Sequence, residues 1–407
     1  MKKNNCDQKR SRIIFRNYEK GDESGLAEVY NYGFQQNGVS PLKTPENWYW
    51  RYIKYPDYES KQINIAEDAK TGKIIGSVIG NIEDYFINKK KYSFGVINDV
   101  VTYPGYGGRG VATNLMKMAL NYFTDKDVDF SVLSADPRGI AREKIYLPLG
   151  YKDRHSLYLL FHVTNYRKIL RDIPIVFLVL PALSLTKIKP ILINYKNKIQ
   201  SVSQSRSIIY SNEFHAEINH YSASEEFRKR FNEVGYRQFD CFHIYTNKEW
   251  EWARVDCDNQ MHKPTEITIR DKRSDEIIAG AIIDSYKMYA LKFGIEIKMG
   301  AVKNLFVDEL FVIENLVKEK TNIIKKLKDL YKRLFALVLK ASHERNNSLT
   351  MFTTDKDFVN GYWGAIHAGF LGIKVAIHMV KEMKKDVSYP NLKKPFYADP
   401  GEKHGQW

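Results

Sequence analysis

The segment Gly105-Tyr106-Gly107-Gly108-Arg109-Gly110-Val111-Ala112 has the make-up of a phosphate cradle. Its glycines lack the Cβ atoms that would hold a ligand away from the main chain. If a helix begins near Val111, its first amides point outward at the positive end of the helix dipole, about half a unit charge. Arg109 adds a cation with planar donors. The chemistry indicated is capture of a pyrophosphate. Gly105, Gly107 and Gly110 also spell G-x-G-x-x-G. That fingerprint belongs after the first strand of a parallel βαβ unit, whereas here it follows two expected helices and a hairpin. No GK[ST] follows, so the turn is not a P-loop.

Other chemistries find little support. His215 and His220 are five apart, and His243 and His262 stand alone, so no HExxH or similar metal spacing exists and no metal is expected. No GxSxG marks a serine hydrolase. The three cysteines, Cys6, Cys241 and Cys257, form neither a CxxC nor a disulfide framework, which fits a reducing, cytoplasmic setting.

The elements that must position the turn follow from periodicity. Ile13 to Phe15 reads as a strand, and Asp22-Glu23-Ser24 opens a helix carrying Leu26, Val29 and Tyr30. Thr44-Pro45-Glu46 opens a second helix, with threonine as N-cap and proline at its first position. On it Trp48, Tyr49 and Trp50 are expected mainly in the core. Gln62 to Ala66 and Lys73 to Asn81 flank Asp68-Ala69-Lys70-Thr71-Gly72, a hairpin signal. Tyr92 to Thr102 is a long strand that runs into the glycine turn. The following helix places Val111, Leu115, Met118, Ala119 and Tyr122 on one face. Asp129 to Ser134 is a strand, Asp136-Pro137 starts a helix ending near Gly150, and Tyr158 to Val163 closes the sheet.

The two halves repeat one plan. Trp48-Tyr49-Trp50-Arg51 recurs as Trp250-Glu251-Trp252-Ala253-Arg254, and Leu149-Gly150-Tyr151 as Ala368-Gly369-Phe370. Between these, Gly72 to Ile79 is echoed by Asp275 to Ile282, and Asn98-Asp99-Val100-Val101 by Asp308-Glu309-Leu310-Phe311. The expected layout is an N-terminal domain over 12–163, a basic and apolar connector over 164–211, a degenerate second copy over 212–383 and a tail over 384–407. The connector's apolar run, Ile173 to Leu185, is broken by two prolines and is too short to cross a bilayer. With its basic flanks it could instead contact a membrane surface. After Val307-Asp308-Glu309-Leu310-Phe311-Val312 the second half has no glycine turn, so its cofactor site is expected to be lost. The helix after it carries Ile324, Leu327, Tyr331, Leu334, Val338 and Ala341 as a packing stripe, with Lys325, Lys326, Lys328, Lys332 and Arg333 on a solvated face.

The chain has 407 residues, 43% of them hydrophobic and 27% charged, which excludes wholesale disorder and a polytopic membrane protein. The formal charge of 63 − 48 = +15 suits polyanionic partners. No RRM, KH or helix-turn-helix pattern is present, so nucleic acid is not expected among them.

The stretch Asn98-Asp99-Val100-Val101-Thr102-Tyr103-Pro104, with Gly107-Gly108-Arg109-Gly110-Val111-Ala112, resembles strand 4 and the Q/R-x-x-G-x-G/A loop of the GNAT N-acetyltransferases. Tyr146-Leu147-Pro148-Leu149-Gly150-Tyr151 is similar to that family's Y-x-x-x-G-F segment. Gly107 departs from the Arg or Gln usual at its position, which removes one pyrophosphate contact and leaves the main-chain cradle. The resemblance covers 12–163 and extends through the repeat to about 213–381, as in two-domain members of the family.

The resemblance implies an α/β (α+β) fold of two tandem GNAT-like domains. Each has a mixed, mostly antiparallel central sheet flanked by helices, and the second copy is degenerate. It implies an acyl-CoA-dependent N-acyltransferase that moves an acetyl group from acetyl-CoA, its co-substrate, to a primary amine of a small molecule. Amino sugar, amino acid, polyamine and protein terminus all stay open as acceptors. Val100, Val101 and Thr102 would line the pantetheine, and Gly107, Gly108, Arg109, Gly110, Val111 and Ala112 would hold the pyrophosphate. A main-chain N–H near Val101 would hold the carbonyl oxygen, Tyr146 would protonate the leaving thiolate, and Asp99 would take the ammonium proton, with Asp84 as a second candidate. Two alternatives remain: a non-catalytic acyl-CoA sensor or scaffold, and a membrane-surface acyltransferase acting on a lipid-linked or cell-wall amine.

Overall fold

A computed structural model describes residues 12–35, 40–172, 213–255, 264–290, 294–315, 323–355, 358–390, 392 and 396–397. Most of the expected connector, Cys6, Cys257, His262 and the 316–320 segment lie outside them.

The first half runs β1 (Ile13–Asn17), α1 (Glu23–Gln35), β2 (Ser40–Pro41), α2 (Pro45–Tyr52), β3 (Ile63–Asp68), β4 (Lys73–Ile87), β5 (Lys90–Thr102), α3 (Val111–Asp125), β6 (Phe130–Ala135), β7 (Lys152–Val163) and α4 (Tyr166–Asp172). The second half repeats the order. It runs β8 (Phe214–His220), α5 (Glu225–Gln238), β9 (Cys241–Phe242), α6 (Asn247–Trp250), β10 (Pro264–Asp271), β11 (Ile277–Ala290) and β12 (Ile295–Val307). It continues with α7 (Glu309–Asn315), α8 (Ile323–Glu344), β13 (Leu349–Asp355), α9 (Val359–His367), β14 (Leu371–Glu382) and β15 (Phe396–Tyr397).

Local chemistry sets several boundaries as expected. The Thr44 hydroxyl accepts from the Asn47 N–H at the start of α2, with Pro45 at its first position. Asp68 closes the β3–β4 hairpin by accepting from the amides of Lys70 and Thr71. Trp48 and Trp50 are buried, and Tyr49 is the exposed member of that trio. The α8 stripe is buried except at its first turn, where Ile324 is exposed.

One expected helix is not an α-helix. Between Asp136 and Gly150 there is a single wide turn, Arg142–Tyr146, closed by the Leu147 N–H donating to the Arg142 carbonyl. Pro137, Gly139 and Pro148 leave too short an uninterrupted stretch for regular i→i+4 bonding. The same five-residue bond recurs from Tyr151 N–H to the Tyr146 carbonyl, at 3.1 Å.

Among the described residues the strands form one sheet, ordered β1-β3-β4-β5-β6-β14-β7-β13-β12-β11-β10-β8. It is mostly antiparallel; β5–β6, β12–β13 and, off that path, β9–β15 are parallel pairs. β7 therefore does not close the first half beside β6. β14 lies between them, antiparallel to both, and β7 instead reaches β13 of the second half. The two halves have exchanged their last strands. Smaller pairings are reciprocal too: β2 pairs with β11, and β9 with β4. At this junction Trp50 and Trp252, equivalent residues of the repeat, stack with centroids 5.2 Å apart and planes 18° from parallel. The Trp252 indole N–H donates to the Trp50 carbonyl at 3.0 Å.

The repeat's register differs from the sequence reading in one place. β5 bulges against β4 where its register shifts between Ser77 and Ile79, and β12 bulges against β11 where it shifts between Gly280 and Ile282. The residues with left-handed φ at these bulges are Asp99 and Asn304. Asn304, and not a residue of the 308–311 stretch, is thus the counterpart of Asp99. The acidic pair Asp308-Glu309 misled the sequence comparison, because it belongs to the following helix start.

Candidate functional site

β5 ends at Thr102, and the Tyr106 N–H donates to the Tyr103 carbonyl to close a tight turn. Gly105, Gly108 and Gly110 have φ of 91°, 74° and 78°, a region that favours glycine. A Cβ placed on Gly105, Gly107 or Gly108 would meet no atom within 4 Å, so the space above the turn is open to a ligand. Gly110 caps α3 without any side-chain bond, leaving the first amides of the helix, from Val111 and Ala112 onward, to an incoming anion. The Arg109 guanidinium lies 5.0 Å from the Tyr106 ring centroid, and the Tyr106 hydroxyl donates to Asp68 at 2.7 Å. α3 is seated close to the sheet because Gly95 and Gly80 face Phe123; a Cβ there would come within 2.4 and 2.8 Å of its ring. The turn's residues fit a pyrophosphate.

Below the turn the sheet forks. β5 and β6 pair from Phe94 with Phe130 to Val96 with Val132, and no further. Beyond that point β6 continues with β14, and β5 with β4. The fork opens into a cavity of about 370 Å³. Ile97, Asn98, Asp99 and Val100 of β5 line it, with Leu133, Ser134 and Ala135 of β6, Tyr146, and Tyr30 of α1. Asp136 and Arg142, Pro41 of β2 and Met288 of β11 also line it, so the second half supplies part of the wall. Asp99, Val100 and Tyr146 thus share one cavity. Val101 points away, into the core under α1 and α2 beside Gly33, and Thr102 pairs with Gly76 of β4. Asp84 lies elsewhere, on the surface, paired with Lys91 at 2.7 Å.

Asp99 is buried, and its Oδ2 accepts from the Lys43 ammonium and the Tyr52 hydroxyl. Burial opposes its ionisation. Lys43 and Arg51, together with the two hydrogen bonds, outweigh that and hold the carboxyl below its usual range. Lys43 is fixed by its main chain: its N–H donates to the Asn31 side chain, and its carbonyl accepts from it. Burial and then the Arg51 charge lower Lys43 from 10.5 to about 7, against the pull of Asp99. Its Nζ lies 3.2 Å from the Tyr52 oxygen and 3.6 Å from the Tyr30 ring centroid. The Tyr146 ring stands edge-on to Tyr151, and burial raises its hydroxyl, so it stays protonated near neutral pH as a proton donor must.

Among the described residues the second half shows neither part. Asp308 occupies its helix start and accepts from the Phe311 N–H at 3.0 Å. Arg230 and Arg237 hold the same carboxylate at 2.8 and 2.5 Å. A built-in anion thus sits at the first helix start after β12. The Phe370 N–H donates to the Ala365 carbonyl, the counterpart of the Tyr151–Tyr146 bond, which puts alanine where the first half has Tyr146.

Sequence reasoning missed Lys43, Tyr52, Arg51, Tyr30 and Ser134. Lys43 sits in Ser40-Pro41-Leu42-Lys43-Thr44, which reads as an ordinary loop before an N-cap. Only the packing of α1 and α2 over the β5 bulge buries it. A helix with Arg51-Tyr52 behind two tryptophans, facing a strand aspartate, was the one available hint.

Residues 15–153 match the family described as an acetyltransferase (GNAT) domain. Curated proteins give no significant match by sequence. Among solved structures, the chain is similar to Saccharomyces cerevisiae N-myristoyltransferase with bound myristoyl-CoA, at TM-score 0.65 and 11% identity, covering 94% of this chain and 88% of that one. It is also similar to a GCN5-related N-acetyltransferase from Anabaena variabilis, at TM-score 0.52 and 10% identity, covering 92% and 73%.

Proposed function

We propose that the chain is a two-domain GNAT-type N-acyltransferase whose first half transfers a short acyl group, acetyl foremost, from acyl-CoA to a primary amine in the cytoplasm. The observation that carries this reading is the open glycine turn at the head of α3, leading into a forked cavity that holds Asp99 and Tyr146. The diphosphate would rest on the amides of 107–112, with Arg109 swinging from Tyr106 to meet it. The pantetheine would run along Val100. A main-chain N–H of the 100–101 stretch would take the carbonyl oxygen, and Tyr146 would protonate the leaving thiolate.

Cavity size favours a short acyl group. About 370 Å³ is near the lower end of ordinary ligand pockets, roughly 300–1,000 Å³. It must admit the thioester and the amine together, and Asp99, Asn98 and Ser134 give it polar walls that a long alkyl chain would desolvate. We take a small-molecule amine as acceptor. A peptide amine is the second reading, favoured by the fold likeness to N-myristoyltransferase over nearly the whole chain.

Release of free CoA thiol tests both. Acyl-CoAs from acetyl to myristoyl are crossed with a polyamine, an amino sugar, an amino acid and a short peptide. Turnover highest with acetyl-CoA and a small amine supports the proposal. Preference for a peptide moves it to the second reading. CoA binding with no thiol release from any pairing would leave a sensor.

A further inference from the structure

Lys43 is bonded to Asp99 behind the cavity wall, and it has no role in the reading above. Its side chain is only 1% exposed and that of Asp99 only 5%. Asp99 lines the cavity and Lys43 does not, so Lys43 reaches the cavity through Asp99. Four groups face it: Asp99 from β5, Tyr52 and Arg51 from α2, and Tyr30 from α1.

Building on the acyl-transfer proposal, we infer that Lys43 is the store for the proton that the acceptor ammonium must lose, with Asp99 as the group that hands it on.

Charge counting explains why this lysine is suited to that task. Arg51 is a permanent cation, and Asp99 is the carboxylate held between the two. A charged Lys43 gives the buried cluster two cations for one anion, so the ammonium is disfavoured. Burial and Arg51 bring Lys43 to about 7, where its neutral and charged forms are both populated at neutral pH. An ordinary surface lysine would stay charged and could accept nothing. The left-handed bulge at Asp99, φ 47°, fixes the carboxylate between the lysine and the cavity.

The protons balance as follows. The acceptor R–NH3+ gives one proton to the Asp99 carboxylate, which passes one to neutral Lys43. The free amine attacks the thioester carbonyl, forming the C–N bond. As the C–S bond breaks, Tyr146 protonates the thiolate, and the proton still on the new amide nitrogen restores Tyr146. Lys43 then returns its proton to solvent. The products are amide, CoA thiol and one released proton.

The test is kcat/KM for the amine against pH, at saturating acetyl-CoA, for the full-length protein and for Lys43→Met and Lys43→Arg. The wild type should show a limb near pH 7. Both variants should lose it and fall about 100-fold at pH 7, in the range of general acid–base catalysis, with acetyl-CoA affinity unchanged. Arginine cannot go neutral, so its failure to rescue separates a proton store from a structural cation. Full rescue by Lys43→Arg, or an unchanged limb in Lys43→Met, overturns the inference. If wild-type protein consumes no thioester with any amine, the acyl-transfer reading itself fails, and the inference with it. Should Lys43→Met fold poorly, NMR titration of isotopically labelled lysines in the wild type decides. One lysine with a midpoint near 7, moved by Asp99→Asn, supports the assignment; all lysines titrating above about 9 overturn it.

Discussion

Asp99 and Asn304 occupy the same bulge in the two halves of the sheet, with φ of 47° and 48°. Asp and Asn are the residues that tolerate this left-handed region best after glycine. The backbone device has therefore been kept in both copies, while the charge on it has not. Around Asn304 the carboxylate sits one strand over, on Asp284, held by Arg254 at 3.0 Å and Lys303 at 3.4 Å. Arg254 also donates to the Asn304 side chain at 2.6 Å. That cluster is buried. In the first half the bulge carboxylate faces a cavity.

This equivalence gives a clean substitution. Asp99→Asn keeps a side chain that the backbone accepts, as Asn304 demonstrates, and removes only the charge. Acyl transfer should fall by about 100-fold or more, while acetyl-CoA binding by calorimetry stays within about twofold. A variant with full turnover would show that the amine loses its proton to solvent without help from this residue.

How much of this was legible beforehand is seen in particular residues. The Thr44-Pro45 cap, the Asp68 hairpin and the helix after the glycine turn are local, each fixed by a few neighbouring residues, and each stands as read. Tyr146 and Asp99 were found through a family likeness, and they do share one cavity. Two kinds of feature were not legible. The strand exchange depends on which edge a strand pairs with, and side-chain alternation reports the two faces of a strand, not its edges. The burial of Lys43 depends on two helices closing over a bulge, which leaves no trace in the loop's own residues.

The phosphate turn can be tested without straining the fold. Gly107 lacks positive φ, and a Cβ there meets nothing, so Gly107→Glu should leave the melting temperature of the free protein unchanged. Its carboxylate would stand in the cradle, and acetyl-CoA affinity should drop at least tenfold. Gly107→Arg should instead tighten binding several-fold at low salt, and by less at high salt, as expected for an exposed ionic contact. Equal affinities for all three proteins would remove the turn from the binding site.

Tyr146→Phe keeps the ring that stands against Tyr151 and deletes only the hydroxyl. Stability should change little, because the ring carries the apolar burial. Turnover should fall by about 10² or more with acetyl-CoA affinity held, and the loss should shrink with thioesters of more acidic thiols, which need less protonation on leaving. A uniform loss across leaving groups would make the tyrosine a packing residue.

Lys43 also predicts how stability depends on pH. Its pKa is lowered in the folded protein, to about 7 from 10.5. Between these values the unfolded chain binds a proton that the folded chain does not, so this residue makes stability rise with pH over that window. Below about pH 7 both states are protonated, and the folded state bears the full penalty of a buried extra cation. Chemical denaturation at pH 6.5 and 9 should therefore show a larger gain at high pH for wild type than for Lys43→Met. Identical gains would mean the lysine is charged throughout.

The exchanged strands make a prediction about the whole fold. β14 bonds β6 from Phe130 to Ala135 on one edge and β7 on the other. A chain cut after Ala368 keeps every residue of the phosphate turn, Asp99 and Tyr146. It loses the strand that fills the space between β6 and β7, and two strand edges with buried faces are exposed. Such a protein should aggregate or melt far below the intact chain, and should not bind acetyl-CoA. Adding residues 369–407 back as a separate peptide should recover part of that binding, because the missing piece is a strand with defined partners on both sides. A truncated chain that stayed monomeric and bound acetyl-CoA normally would show that the first half closes its own sheet in solution.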